Sequence, residues 1–323
     1  MKSIIRVISG MVAAVVCSTA MAASYPDRPV TIVVPFPAGG TTDVLARHLG
    51  KALSDEWKQP VVIENRGGAS GTIGSSTVTR SKPDGYTLLL TATHHVINPT
   101  LLKDTISYNT KEAFTNLAMV ATVPNVLVVN KNFEPKTVQE LIALAKKKPG
   151  EINFGSAGIG GANHLSGELF AHMANIKLTH IPYRGAAPSL NDLLAGQIPM
   201  MFDSVPGVLG HIKSGGLRAL GVTSAERVPQ LPDVPTIDEA GVKGFEAIAM
   251  FGLYGPKNIP ADVVEKINRD VNSALAAPGL QENLSALGAT PGKMTQPEFD
   301  EYVNKEIDKW AEVIEAADIK LPK

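Results

Sequence analysis

The chain has 323 residues, 44% of them apolar, with 30 lysines and arginines against 31 aspartates and glutamates for a formal net charge of −1. That length suits two ordinary domains with sizeable cores, and the balanced charge offers no broad basic surface for nucleic acid. With one cysteine, Cys17, there is no intrachain disulfide.

Lys2 and Arg6 precede an apolar stretch from Ile8 to Ala20, and Ala20-Met21-Ala22 fits an A-x-A cleavage site. Residues 1–23 therefore read as a signal peptide, which places the mature chain in the periplasm, beginning near Ala23 or Ser24. Cys17 lies inside that leader, and Val16 is not the small residue a lipobox needs. No other run approaches the ~18 apolar residues of a membrane span.

Strand and helix signals then alternate. Val30 to Pro35 is a short β-branched run, and Val44, Leu45, Leu49, Ala52 and Leu53 give the next segment helical spacing. Pro60 to Glu64 reads as a strand, Ser70 to Arg80 as a helix and Tyr86 to Thr91 as a strand. The following "ATHHVINP" reads as extended, which would point His94 and His95 to opposite faces, with His94 toward the cleft.

Ala118 to Val129 is a long extended run broken by Pro124 and Asn125. Thr137 and Glu140 form a capping box ahead of a helix to Lys147. Strands near Ile152, Leu178, Ile198 and Leu217 alternate with helices from Ala162, Ala187 and Val205. Phe245 to Tyr254 is a second long extended run, and amphipathic helices at Ala261 to Ala276 and Gln296 to Ala317 close the chain.

This βαβ rhythm predicts an α/β fold with parallel, doubly wound sheets. The runs at Val120 to Val129 and Phe245 to Leu253 read as two crossing strands, the hinge of a two-lobed Venus-flytrap architecture. Domain I is then 24–122 plus 248–323, and domain II is 123–247.

Two glycine-rich turns open helices: Pro37-Ala38-Gly39-Gly40-Thr41-Thr42 and Gly155-Ser156-Ala157-Gly158-Ile159-Gly160-Gly161-Ala162. A helix start leaves about four amide N–H groups unpaired and carries roughly half a positive charge. Glycine lets an anion approach those amides. Neither turn is a nucleotide loop: Asn163 stands where the third glycine of GxGxxG belongs, and neither ends in Gly-Lys-Ser/Thr. Two such turns facing one cleft suit a small carboxylate.

The stretches "RPVTIVVPFPAGGTTDVLAR", "VVIENRGGASGTIGSSTVTRSKPDGYTLLL", "NFGSAGIGGANHLSGELF", "IPYRGAAPSLNDLLAGQIPMMFDSVP" and "LPDVPTIDEAGVKGFE" run through the whole mature chain. In them the sequence resembles the Bug solute-binding proteins, periplasmic receptors of tripartite tricarboxylate transporters. The resemblance implies a two-lobed binding protein that closes on a small carboxylate and delivers it to membrane permease subunits. It also implies ligand contacts from two loops. Here these match Phe36, Ala38, Gly39, Gly40 and Thr41, and Ser156, Ala157, Gly158, Gly161 and Ala162, acting through amides, small hydroxyls and bridging waters.

Single residues extend the set. Ser156 is expected to donate its hydroxyl to the carboxylate, and His94, if protonated, a charge-assisted bond. His164 either donates to the ligand or caps its helix. Asp203 is expected as a polar cleft group, and Arg184 as a partner for a second carboxylate or for a surface acid. Asp43 reads as a helix-stabilising acid.

No metal and no cofactor is expected, and the protein is expected to be monomeric. The thin charge inventory tilts the expected ligand toward a mono- or dicarboxylate, aromatic acids included. A ligand-sensing partner of a membrane signalling protein is the alternative. An exported hydrolase is weaker still, since there is neither a G-x-S-x-G elbow nor an H-E-x-x-H helix.

Overall fold

The computed structural model describes residues 25–183, 185–286, 288–316 and 319. The expected signal peptide, Cys17 and Arg184 lie outside them. Val30–Val34 (β1) leads into Thr41–Trp57 (α1), Val61–Asn65 (β2), Thr72–Thr79 (α2), Thr87–Ala92 (β3) and His94–Leu101 (α3). Thr110–Ala113 (α4) precedes a long strand, Phe114–Asn130 (β4). Val138–Lys147 (α5), Asn153–Ser156 (β5), Ala162–Met173 (α6), Thr179–Pro182 (β6), Ala186–Ala195 (α7), Met200–Ser204 (β7), Val205–Lys213 (α8) and Leu217–Val222 (β8) follow. Ile248–Pro256 (β9), Ala261–Ala276 (α9), Pro278–Ala286 (α10), Thr290–Pro291 (β10) and Gln296–Ala316 (α11) complete the order.

The strands lie in the order β2-β1-β3-β9-β4-β7-β5-β6, with β8 and β10 also on β4. β1 is parallel to β2 and β3, and β5 is parallel to β6 and β7. The centre departs from the expected parallel sheets: β9 runs antiparallel to β3 and β4, and β4 antiparallel to β7 and β8. Two parallel βαβ units thus flank an antiparallel middle.

β4 belongs to both halves. Up to Pro124, opposite Ile248, it pairs with β9; from Asn125, opposite Ser204, it pairs with β7 and β8. Proline has no N–H to offer a ladder, so it fits where the partner changes. Asn125 secures the change: its N–H donates to Thr223 Oγ1 (2.8 Å) and its Nδ2 to Ser166 Oγ (3.2 Å).

Packing fills each half and also runs between them. In the first, Leu45, Leu49 and Leu53 of α1 pack with Ile32, Val34 and the α9 residues Ile267 and Val271. Burying each leucine contributes about 2 kcal/mol. Trp57 Nε1–H donates to the buried Asp270 (2.7 Å), fixing α1 on α9. In the second half, Val126, Val128, Met201, Val205 and Val222 join β4, β7, β8 and α8. A further cluster runs through both halves, from Val33 of β1 and Leu89 of β3 to Phe154 of β5 and Phe170 of α6, and so anchors the strands that lead into both glycine turns.

Candidate functional site

The turn after β1 is exposed at Ala38, Gly39 and Gly40. Gly39 has φ +86°, and Gly40 is the N-cap of α1 with no side chain bonded to the helix start. Three side chains brace the turn from behind. Asp43 Oδ2 accepts from Gly39 N–H (2.9 Å) and Arg47 Nε (3.0 Å); Asn65 Nδ2 donates to Asp43 Oδ1 (3.0 Å) and Phe36 O (3.1 Å). Burial pushes the Asp43 carboxyl up, but these bonds outweigh it and hold the pKa below the ordinary carboxylate value. The structural role expected of Asp43 is present. The Gly39 amide, counted among the ligand contacts, is engaged by Asp43, so the unpaired amides of this turn begin at its neighbours.

The turn after β5 repeats the backbone. Gly160 has φ +79°, and Gly161 is an N-cap without a side-chain bond to the helix start. Here Gly160 N–H donates to His164 Nδ1 (3.2 Å) and Gly158 N–H to Ser156 Oγ (3.1 Å). Accepting at Nδ1 leaves the His164 proton on Nε2, which lies 3.5 Å from Glu168 Oε1. His164 thus holds the amide just ahead of the helix, a role close to the capping expected of it, and leaves the first helical amides without a side-chain cap.

Ser156 corrects a second expectation. It is fully buried, and its Oγ lies 2.6 Å from His180 Nε2. Burial first, and the neighbouring His164 second, push His180 down to about 3. The hydroxyl ties the turn together through His180 and the Gly158 backbone. A serine beside a histidine is also what a hydrolase needs, but this serine has no exposed surface for a substrate to reach.

His164, Glu168 and His180 present possible metal-binding atoms within 4.8 Å of one another. The two rings are stacked, with centroids 3.9 Å apart. A metal on His164 Nε2 needs the proton on Nδ1, which would break the bond from Gly160. The bonds present describe a packed histidine pair behind the turn.

The expected extended segment after β3 is helical: α3 starts at His94. His94 and His95 still diverge, because successive helix residues point about 100° apart. His95 is buried against Tyr254 (centroids 3.9 Å), whereas His94 lies on Phe36 (4.8 Å). Burial pushes His94 down to about 4, so the expected protonated donor is a neutral ring at neutral pH. A Cβ placed on Gly161 would stand 3.5 Å from His94 Cε1 and Nε2, and one on Gly160 would stand 3.1 Å from Leu101 Cδ2. Ala162 packs against the core cluster of the first half. The second turn therefore rests directly on α3, and the two halves are closed on each other.

Asp203 ends β7 beside this turn, 3% exposed. Its Oδ1 accepts from Asn163 Nδ2 (2.9 Å) and Ser204 N–H (2.8 Å). Burial pushes it up to about 6 against those bonds. The bracing groups Asn65, Glu168 and His180 were not among the expected residues. Their only sequence signal is position at or near a strand end or one helical turn beyond a named residue.

The family model described as the tripartite tricarboxylate transporter family receptor matches residues 45–319. The chain belongs to that receptor family. It is similar to the protein BugT of Bordetella pertussis, 39% identical over 299 residues and 92% of each chain. Among solved structures it is similar to the periplasmic binding protein BugD, at 38% identity and TM-score 0.81, over 92% of this chain and 99% of that one. An R. palustris protein solved with adipate superposes with TM-score 0.84 at 37% identity, over 92% and 99%. MatC from Rhodopseudomonas palustris, solved with bound malate, gives 0.80 at 31%, over 90% and 100%.

The expected binding-protein fold is the fold of these neighbours, and Bug-type receptors of this family are solute-binding proteins, with carboxylates bound in two of the structures. Among the described residues no helix is long and apolar enough to cross a membrane.

Proposed function

We propose that this receptor captures a small organic carboxylate between domain I (24–122 and 248–323) and domain II (123–247), and presents the closed form to membrane permease subunits of a tripartite tricarboxylate transporter. In this reading the mature chain works in the periplasm as a monomer, after loss of residues 1–23. The observation that carries it is the pair of uncapped helix starts, Gly40-Thr41 and Gly161-Ala162, one in each half. Each has unpaired amides and the positive end of a helix dipole, with no side chain on the N-cap glycine to cover them.

The ligand carboxylate accepts from amides of both turns, with Ala38, Thr41, Ala157 and Ala162 lining the approach and Phe36 and His94 as one wall. Asp203 cannot face the carboxylate as an anion at close range; it orients Asn163 at the α6 start. Because both turns are braced before any ligand arrives, little ordering remains to oppose binding. The adipate and malate seen in the two R. palustris neighbours support acids of this size.

The test is a thermal-shift screen of the mature protein over some tens of mono-, di- and tricarboxylates. Mass action requires a bound acid to raise the melting temperature with its concentration. A specific acid that does so is the expected result. A flat panel, aromatic acids included, would remove the proposal.

A further inference from the structure

Behind the second turn, α3 carries two polar side chains that the carboxylate contacts do not use. His94 and Asn98 are four residues apart, hence on one face of the helix. Asn98 is 3% exposed, and its Nδ2 donates to Ser70 O (3.0 Å). That bond fixes the amide plane. Oδ1 then points away from Ser70, to 3.8 Å from where a Gly160 Cβ would stand. It is buried and has no hydrogen-bond partner. His94 Nδ1 is likewise buried without a partner, and the ring is held on Phe36.

We propose that His94 and Asn98 determine specificity: they select carboxylates that also carry a hydroxyl group over the same acids without it. The inference rests on the carboxylate reading of the cleft. Its chemistry is one of donors and acceptors. Asn98 Oδ1 can only accept, and a carboxylate has no proton to give it. A buried acceptor left without a donor keeps its full desolvation cost. The neutral His94 ring has one N–H to donate and one nitrogen to accept. A ligand hydroxyl answers both residues, donating to Asn98 and accepting from the imidazole. An ammonium group could donate to Asn98 and to the accepting imidazole nitrogen, but it would bring a buried charge that neither residue can answer with a charge of its own. A plain methylene chain satisfies neither.

The experiment is calorimetric titration of the mature protein with matched acids that differ only by the hydroxyl: malate against succinate, citrate against tricarballylate, and 3-hydroxybutyrate against butyrate. Aspartate serves as the amino counterpart of malate. In at least one pair the hydroxy acid should bind about tenfold tighter or more. In His94→Leu that ratio should fall below about threefold, whatever the change in absolute affinity. His94→Gln, which keeps a donor and an acceptor at that place, should recover part of it.

Equal affinities within every pair that binds would overturn the proposal and leave the carboxylate reading standing; so would a ratio that survives His94→Leu, or aspartate bound more tightly than malate. Absence of binding by all these acids, together with a flat thermal screen, would defeat the carboxylate reading itself.

Discussion

Gly39-Gly40 ahead of α1 and Gly160-Gly161 ahead of α6 adopt the same backbone: a left-handed glycine (φ +86° and +79°), then an extended glycine N-cap (φ −78° and −82°). In both, the side chain four residues beyond the first glycine reaches back to its amide. That is a variation on the capping box, displaced by one residue toward the N-terminus. The bracing groups differ. Asp43 is a carboxylate whose charge is answered by Arg47 and Asn65, on an exposed turn. His164 is an imidazole stacked on His180, behind a turn closed against the other half. One backbone solution is thus held by a charge on the open side and without one on the enclosed side. The brace itself adds no negative charge at the α6 turn, where the nearest acids, Glu168 and Asp203, engage His164 and Asn163 and not the amides, so that turn should carry the larger share of ligand affinity.

The strongest test of this difference is to erase it. His164→Asp makes the second turn resemble the first but supplies no arginine to answer the new charge. At about 7 Å and an effective dielectric of about 20, the repulsion of a bound carboxylate is about 2 kcal/mol. Titration should therefore show a loss of affinity of about thirtyfold, relieved as the pH is lowered enough to protonate the new acid. An unchanged affinity would place the carboxylate away from the α6 turn.

Next come the two left-handed glycines. Alanine at either position costs about 1 kcal/mol or somewhat more in stability, measured by denaturant unfolding. Gly39 has open space around its Cβ direction, whereas Gly160 would press on Leu101 of the other half. Gly160→Ala should thus weaken ligand binding about tenfold by obstructing closure, and Gly39→Ala by less than about threefold. Equal losses would show that closure does not bring the α6 turn onto α3.

Asp203 gives a test in pH. Its folded pKa of about 6 lies above the ordinary ~3.9. The fold therefore favours the protonated acid. That stabilisation is full below about pH 4 and is lost as the pH rises through about 6. Asp203→Asn keeps an acceptor for Asn163 and Ser204 and never ionises. Its stability advantage over the parent should grow from pH 4 to pH 6, by up to about 3 kcal/mol, and stay flat above. A gap independent of pH would mean that burial does not oppose the charge. The smallest effect is expected at Arg47→Ala on the open side: less than about 1 kcal/mol in stability, since the arginine is half exposed, and affinity unchanged within about twofold.

Much of the fold could be read along the chain because its signals are local. β-branched runs, helical spacing and the Thr137 cap each depend on a few neighbours; Glu140 N–H does donate to Thr137 Oγ1. The antiparallel centre was less legible, because direction is a property of partners far apart in sequence. Pro124 looked like a break and instead marks the place where one continuous strand exchanges β9 for β7 and β8. The residues of α3 read as extended, and the structure instead makes them a helix that buries the β-branched Val96 and Ile97 in the core.

At the site, the turns were recognisable from glycine and helix chemistry, and the two histidines do diverge, His94 toward Phe36 and the α6 turn and His95 onto Tyr254. Which amides remain free was not legible. Ser156 and His164 each look able to serve a ligand or the backbone, and only their distances assign them to Gly158 and Gly160, as the distance from Asp43 assigns it to Gly39.

The most direct measurement is a crystal structure with the acid that gives the largest shift in the thermal screen. The expected result is a carboxylate whose oxygens accept from at least one amide of the Gly40-Thr41 turn and one of the Gly161-Ala162 turn. A carboxylate held by side chains alone, or bound away from both turns, would contradict the account.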